Sequence, residues 1–157
     1  MQIGILLLKD HRLLSVAALL DVFETANRFY TEDGLEKPFD ISLLYLPGHS
    51  APPYENHIPQ PVDGTTGYDL LLVPSFKHDA IGQSLPANAP WVPWLQNQHK
   101  EGAAIASFCT GAFVLGAAGL LNNRPATTHI NAGAAFTLRV FKSGEPNTDS
   151  VTKVKVS

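Results

Sequence analysis

Three short apolar runs constrain what this chain can become: Ile3 to Leu8, Tyr68 to Pro74, and Ala103 to Phe108. Each has strand length, and none shows the apolar–polar alternation of a strand with one wet face. Such runs suit parallel strands covered on both faces. Between them lie segments with helical spacing. Leu13 to Tyr30 places Leu13, Val16, Ala17, Leu20, Phe23, Ala26 and Tyr30 on one predicted stripe. Asn88-Ala89-Pro90 reads as a cap and first turn for a helix carrying Trp91, Trp94 and Leu95 and ending near Gly102. Ala112 to Leu121 reads as an apolar helix rich in glycine and alanine. Strands alternating with helices predict a parallel sheet with helices on both faces.

The remaining chain fills in that plan. Phe39 to Leu46 is a strand candidate, and Thr31 to Pro38 a loop. Pro47 to Gly67, rich in proline and glycine, has room for short edge strands, and a loop follows Pro74. Pro125 to His129 reads as a short strand, and Asn131 as the cap of a helix running to about Phe141. Lys142 to Asp149 reads as a loop, and Val151 to Val156 as a half-exposed final strand. In such sheets ligands bind beyond the carboxyl ends of the strands. The loops after Leu8, Val73 and Phe108 all open there.

Composition narrows the function. The chain has 157 residues, enough for one domain, with 45% hydrophobic and 16% charged residues and a formal net charge of −3. Low charge predicts extensive buried surface, including a subunit contact. No basic block is present, so the chain lacks the electrostatic footprint of a nucleic-acid binder. One cysteine excludes an intrachain disulfide and suits a reducing, cytoplasmic setting. Ile3 to Leu8 is too short for a signal core or a membrane span. None of His11, His49, His57, His78, His99 and His129 forms a close ligand pair, and no glycine-rich phosphate loop occurs; neither a metal nor a cofactor is expected.

The chemistry-bearing feature is Cys109. It follows a strand candidate and precedes a helix candidate, with only Thr110, Gly111 and Ala112 as near neighbours. That is the pattern of a nucleophile elbow, a tight turn that tolerates only small side chains around the nucleophile. Amides and the helix dipole there favour a thiolate and bind oxyanions or carboxylates. His129 follows twenty residues later at the end of the next strand candidate. Neighbouring parallel strands would bring the two together, the imidazole serving as proton shuttle. The same histidine can equally serve as a helix cap.

Residues 106–115 (ASFCTGAFVL), 118–122 (AGLLN) and 126–129 (ATTH), with Leu20-Asp21-Val22-Phe23-Glu24, Ala26-Asn27 and Tyr68 to Pro74, resemble the ThiJ/PfpI superfamily, also called class I glutamine amidotransferase-like. The nearest branch is the N-terminal domain of AraC-type transcriptional regulators. The resemblance covers roughly residues 1 to 141. It implies a flavodoxin-like three-layer α/β/α sandwich with a mostly parallel sheet, here one domain over 1–157. The superfamily domain continues with another strand and covering helices, so the chain reads as truncated at its C-terminus. The superfamily places an acidic residue early in the first helix to hydrogen-bond the cysteine. Counting back from Leu20-Asp21-Val22, that position is Ser15, and Asp10 and Glu24 are the nearest acids in sequence.

The resemblance therefore implies a non-catalytic ligand-sensing and dimerisation domain. Ser15, Cys109, Thr110, Gly111 and His129 would line the effector site. Its expected partners are a small-molecule effector and a second copy, with DNA reached only through a helix-turn-helix module outside this chain. The alternative is a cysteine-dependent hydratase or deglycase-like enzyme, with Cys109 as nucleophile, His129 as proton shuttle and the amides near Thr110 and Gly111 as oxyanion site. A third reading, action through a dimer surface alone, would use Trp91 and Trp94 as anchors, although tryptophans at this spacing are more often core.

Overall fold

The computed structural model describes residues 1–49, 51, 53–54, 56–62, 67–77, 79 and 81–140. The expected loop 142–149 and final strand 151–156, and His78, lie outside the described residues.

The first apolar run becomes β1 (Gln2–Leu6), whose residues 3–6 are all buried. The other strands are β2 (Asp40–Tyr45), β3 (Gln60–Pro61), β4 (Leu70–Val73) and β5 (Ala104–Ser107). They form one sheet in the order β3-β2-β1-β4-β5, and every pairing is parallel. β3 is the short edge strand that the proline-rich segment allowed.

Helices cover both faces of the central strands, but not of the edge strand β5, where Ala104 and Ala106 are exposed although the run was expected to be covered on both faces. α1 (Leu13–Glu32) packs Val16, Leu19 and Leu20 against Ile3, Ile5, Leu7, Leu43 and Leu72 on one side. On the other, Leu6, Leu44, Leu71 and Val73 meet α2 (Ile81–Ala87), α3 (Trp91–Lys100), α4 (Ala112–Ala117) and α5 (Gly133–Val140). This is a three-layer sandwich, as the sequence predicts. Gly4 lets leucine side chains close in on β1. A Cβ there would lie 2.7 Å from Leu71 Cδ2 and 2.8 Å from Leu44 Cδ1.

Several expectations are corrected. α2 lies where a plain loop was expected; its Gly82 and internal Pro86 hide the helical pattern. Asn88 does not cap α3, which begins after Pro90 without a side-chain cap. Instead Asn88 is buried, and its amide receives Lys9 N at 2.7 Å and donates to Lys9 O at 3.1 Å. It thereby pins the loop after β1 to α2. Leu13 and Tyr30 are exposed, while Leu19 and Asn27 take the inward face of α1. Asn27 clamps the start of β2 reciprocally, donating to Phe39 O (2.8 Å) and accepting from Phe39 N (3.0 Å). Trp91 is core, 1% exposed, and stacks edge-on with half-buried Trp94.

α4 stops at Ala117 rather than running to Leu121. Gly119 adopts φ +70°, and Leu120 N bonds Leu115 O (3.1 Å) while Gly119 N bonds Gly116 O (3.0 Å). That pair of bonds around a left-handed glycine is a Schellman stop. Residues 125–129 form no strand: Pro125 has no N–H to give a ladder, and Thr128 bonds the Cys109 carbonyl instead. The helix after them begins with a 3₁₀ turn over Ile130–Ala132, capped by His129 rather than Asn131. Among the described residues, no helix is long and apolar enough to cross a membrane.

Candidate functional site

The loops after β1, β4 and β5 meet at the carboxyl edge of the sheet. The first two are zipped together. Arg12 N donates to Ser75 O (2.8 Å), Lys77 N donates to Asp10 O (3.1 Å), and His11 bridges Phe76 antiparallel. The Ser15 hydroxyl accepts from Ser75 N at 3.0 Å. Thr110 ties in the third loop. Its buried hydroxyl donates to Phe76 O (2.7 Å) and accepts from Phe76 N (2.8 Å). One side chain thus satisfies both backbone groups of a fully buried residue, which backbone in a loop requires.

Cys109 begins a one-turn 3₁₀ helix, Cys109–Gly111, that leads straight into α4. Its φ is +54°, a left-handed conformation rarely adopted by residues other than glycine. The residues around it hold that strain. Phe108 N bonds Val73 O (3.0 Å), Gly111 N bonds Phe108 O (2.9 Å), and Gly111 sits against the end of β4. A Cβ on Gly111 would fall 2.4 Å from Val73 O and 2.8 Å from Pro74 O, so only glycine fits. The thiol-bearing residue is exposed at the sheet edge, with Phe108 beside it also exposed.

His129 reaches this neighbourhood by a different route from the expected strand. Thr128 Oγ1 donates to Cys109 O at 3.0 Å, which anchors the 125–129 segment to the turn. His129 Nδ1 then accepts from Asn131 N at 3.2 Å. The imidazole is therefore used as a cap, and in its neutral form it carries its proton on Nε2.

The candidate acids are engaged elsewhere. Asp10 accepts from Ser84 Oγ of α2 at 2.8 Å, and Glu24 pairs with His57. Among the described residues, no group of three His, Cys, Asp or Glu side chains could hold a metal ion. Among the described residues, concavities flank the fold on two sides, and Cys109 lines neither of these. One, of about 250 Å³, lies among Glu24, Asn27, Arg28, Thr31 and Lys37. The other, of about 360 Å³, runs along the β5 edge between Ile105, Leu115, Leu121 and Arg124.

The sequence pattern gives His11 no ligand pair and Tyr54 no role. His11 Nδ1 bonds Leu8 O (2.7 Å), so it donates, and Nε2 accepts from Tyr54 OH at 2.6 Å. This pair fastens Tyr54 to the loop after β1. Desolvation by burial raises the Tyr54 phenol above its ordinary value of 10.0. No local pattern announces such a long-range contact.

Known proteins are similar to this chain in sequence and in fold. The DJ-1/PfpI family model matches residues 62–149. The chain belongs to the DJ-1/PfpI family. An uncharacterized Streptomyces lividans protein encoded in the cpoL 5′ region is 34% identical over 143 residues, covering 82% of this chain and 86% of its own length. Among solved structures, an AraC family transcriptional regulator from Pseudomonas putida superposes with a TM-score of 0.67 at 22% identity, over 88% of this chain and 71% of that one. A DJ-1 superfamily protein from Agrobacterium tumefaciens gives 0.60 at 17% identity, over 94% and 74%. These structures share the fold with this DJ-1/PfpI chain.

Proposed function

We propose that this DJ-1/PfpI chain is the effector-binding and dimerisation domain of an AraC-type transcriptional regulator and performs no chemistry. The carrying observation is the fate of the acids. Ser15 stands where the superfamily has its acid, and its hydroxyl is spent on the Ser75 amide. Asp10 and Glu24 are spent on Ser84 and His57. A cysteine enzyme of this kind needs a proton donor beside the sulfur. In this reading exposed Cys109, carried on the buried Thr110 and Gly111 and flanked by Ser15 and His129, is the ledge that meets a small polar molecule. DNA contact would fall to a helix-turn-helix module outside this chain, and the working unit is a homodimer in the cytoplasm.

A calorimetric screen of small metabolites tests this. A hit should bind the wild-type chain and emerge unaltered, and the Cys109→Trp variant should not bind it. Equal binding by the variant removes Cys109 from the effector site.

One observation favours a cysteine enzyme instead: the +54° φ of Cys109, since strained backbone concentrates at reactive sites. In that reading the turn is a nucleophile elbow. It requires iodoacetamide to alkylate Cys109 faster than it alkylates a free-thiol peptide at neutral pH. Turnover of any screened carbonyl compound by wild type but not Cys109→Ser would establish it.

A further inference from the structure

Tyr54 and His57 face each other as an antiparallel pair. Tyr54 N donates to His57 O (3.0 Å), and His57 N donates to Tyr54 O (2.8 Å). Their side chains then reach two different parts of the body. His57 Nε2 meets the Glu24 carboxylate on α1, which holds the pair in place. The Tyr54 phenol donates to His11 Nε2 (2.6 Å) in the loop after β1. The direction of that bond follows from the other ring nitrogen. Leu8 O can only accept, so His11 carries its proton on Nδ1 (2.7 Å), and the neutral ring offers Nε2 as an acceptor.

From His11 the contacts continue to the cysteine. His11 and Phe76 stand opposite each other in an antiparallel bridge. The bonds that close this bridge belong to their neighbours, Arg12 N to Ser75 O (2.8 Å) and Lys77 N to Asp10 O (3.1 Å). Both backbone groups of Phe76 therefore point away from His11. The Thr110 hydroxyl takes both, at 2.8 and 2.7 Å. Thr110 follows Cys109 directly, and the +54° φ of Cys109 persists only while its surroundings impose it. Phe76 is 0% exposed and Thr110 1%, so water does not substitute for the inner links. The outermost link, from Tyr54 to His11, is only part-buried and opens most readily.

We infer that the Tyr54–His57 pair is a regulatory arm of the cysteine turn, in which Tyr54, acting through His11, Phe76 and Thr110, is a positioning residue for Cys109. Its use as a signal path rests on the effector reading above, whereas the link itself rests on this chain's own contacts. Coupling of this kind is reciprocal. A group placed on Cys109 must alter the hold on the arm, as release of the arm must alter the surroundings of Cys109.

A trifluoroacetonyl group attached to Cys109 of the full chain with bromotrifluoroacetone serves as both occupant and reporter. Its fluorine resonance should shift in Tyr54→Phe, which keeps the ring and loses the hydroxyl. His11→Asn keeps a donor for Leu8 O but falls short of Tyr54, and should shift the resonance likewise. His11→Gln places an amide oxygen near the former Nε2 position and should return the resonance towards wild type. Tyr54→Phe combined with His11→Asn should shift it no further than either alone, because both cut one link. Circular dichroism should be unchanged throughout. In the reverse direction, attaching the group should change amide exchange at Tyr54 and His57 at least ~threefold. A reporter indifferent to both Tyr54→Phe and His11→Asn overturns the arm and leaves the effector reading standing. A His11→Gln shift as large as that of His11→Asn overturns the route through the Tyr54 hydroxyl. Coupling seen in both directions, in a chain where no metabolite slows alkylation of Cys109 by iodoacetamide, upholds the positioning role and overturns the effector reading.

Discussion

Replacing Gly111 by alanine isolates the contact that shapes the cysteine turn. Gly111 has an ordinary right-handed backbone (φ −54°, ψ −26°), so alanine suffers no dihedral penalty there. The whole effect is steric. The new methyl would meet Val73 O at 2.4 Å and Pro74 O at 2.8 Å, both backbone atoms at the end of β4. Relief requires the turn and β4 to separate by nearly an ångström. That strains the Phe108 N–Val73 O bond and the Thr110–Phe76 pair, at 3.0, 2.7 and 2.8 Å. Overpacking of this kind costs about 1–3 kcal/mol, and a weakened buried hydrogen bond adds about 1 kcal/mol. A loss of about 3 kcal/mol corresponds to a fall in Tm of about 6–12 °C for a chain of this size. Urea and thermal unfolding followed by circular dichroism measure it. Gly82→Ala is the control: in α2, with nothing within 4 Å of the new Cβ, it should gain about 0.5–1 kcal/mol. A Gly111→Ala protein within ~0.5 kcal/mol of wild type would refute the close packing of the turn on β4.

Three further outcomes are expected. Thr110→Val should cost about 3 kcal/mol by orphaning the amide and carbonyl of buried Phe76, whereas Thr110→Ser should stay within about 1 kcal/mol of wild type; urea midpoints separate the two. Asn27→Ala should destabilise by about 2 kcal/mol through the unmet Phe39 groups, and amide exchange at Phe39 should accelerate. Tyr54 has its phenol raised by desolvation, so its share of stability is complete below pH 10.0 and is lost as pH rises through the higher folded value. Ultraviolet titration should show it ionising above pH 10.0, and Tyr54→Phe should flatten the alkaline fall in stability. An unchanged alkaline slope in that variant would contradict the assignment.

The sheet was readable because its central strands are buried on both faces, leaving uninterrupted apolar runs in the sequence. The cysteine turn was readable because a tight turn excludes side chains, and Thr110, Gly111 and Ala112 carry that exclusion as composition. What escaped was fixed by distant partners. Asn88-Ala89-Pro90 has the form of a helix start, yet the Asn88 amide is recruited by Lys9, seventy-nine residues away in sequence. Residues 125–129 have strand-like composition, but Thr128 bonds the Cys109 carbonyl in place of a ladder. Ser15 was placed by counting from a motif. Its hydroxyl is committed to Ser75 across sixty residues of sequence, a contact that no local pattern announces. Exposed Leu14, Val22 and Phe29 blurred the helical pattern of α1, because composition does not separate apolar residues on the surface from those in the core.

Thiol footprinting of Cys109 with iodoacetamide, read by mass spectrometry with and without each metabolite found by calorimetry, is the most direct trial of the receptor reading. A true effector should slow alkylation in proportion to its occupancy while remaining chemically intact. A metabolite that saturates the chain yet leaves the alkylation rate unchanged would place the binding site elsewhere and contradict the assignment of the cysteine ledge as the effector site.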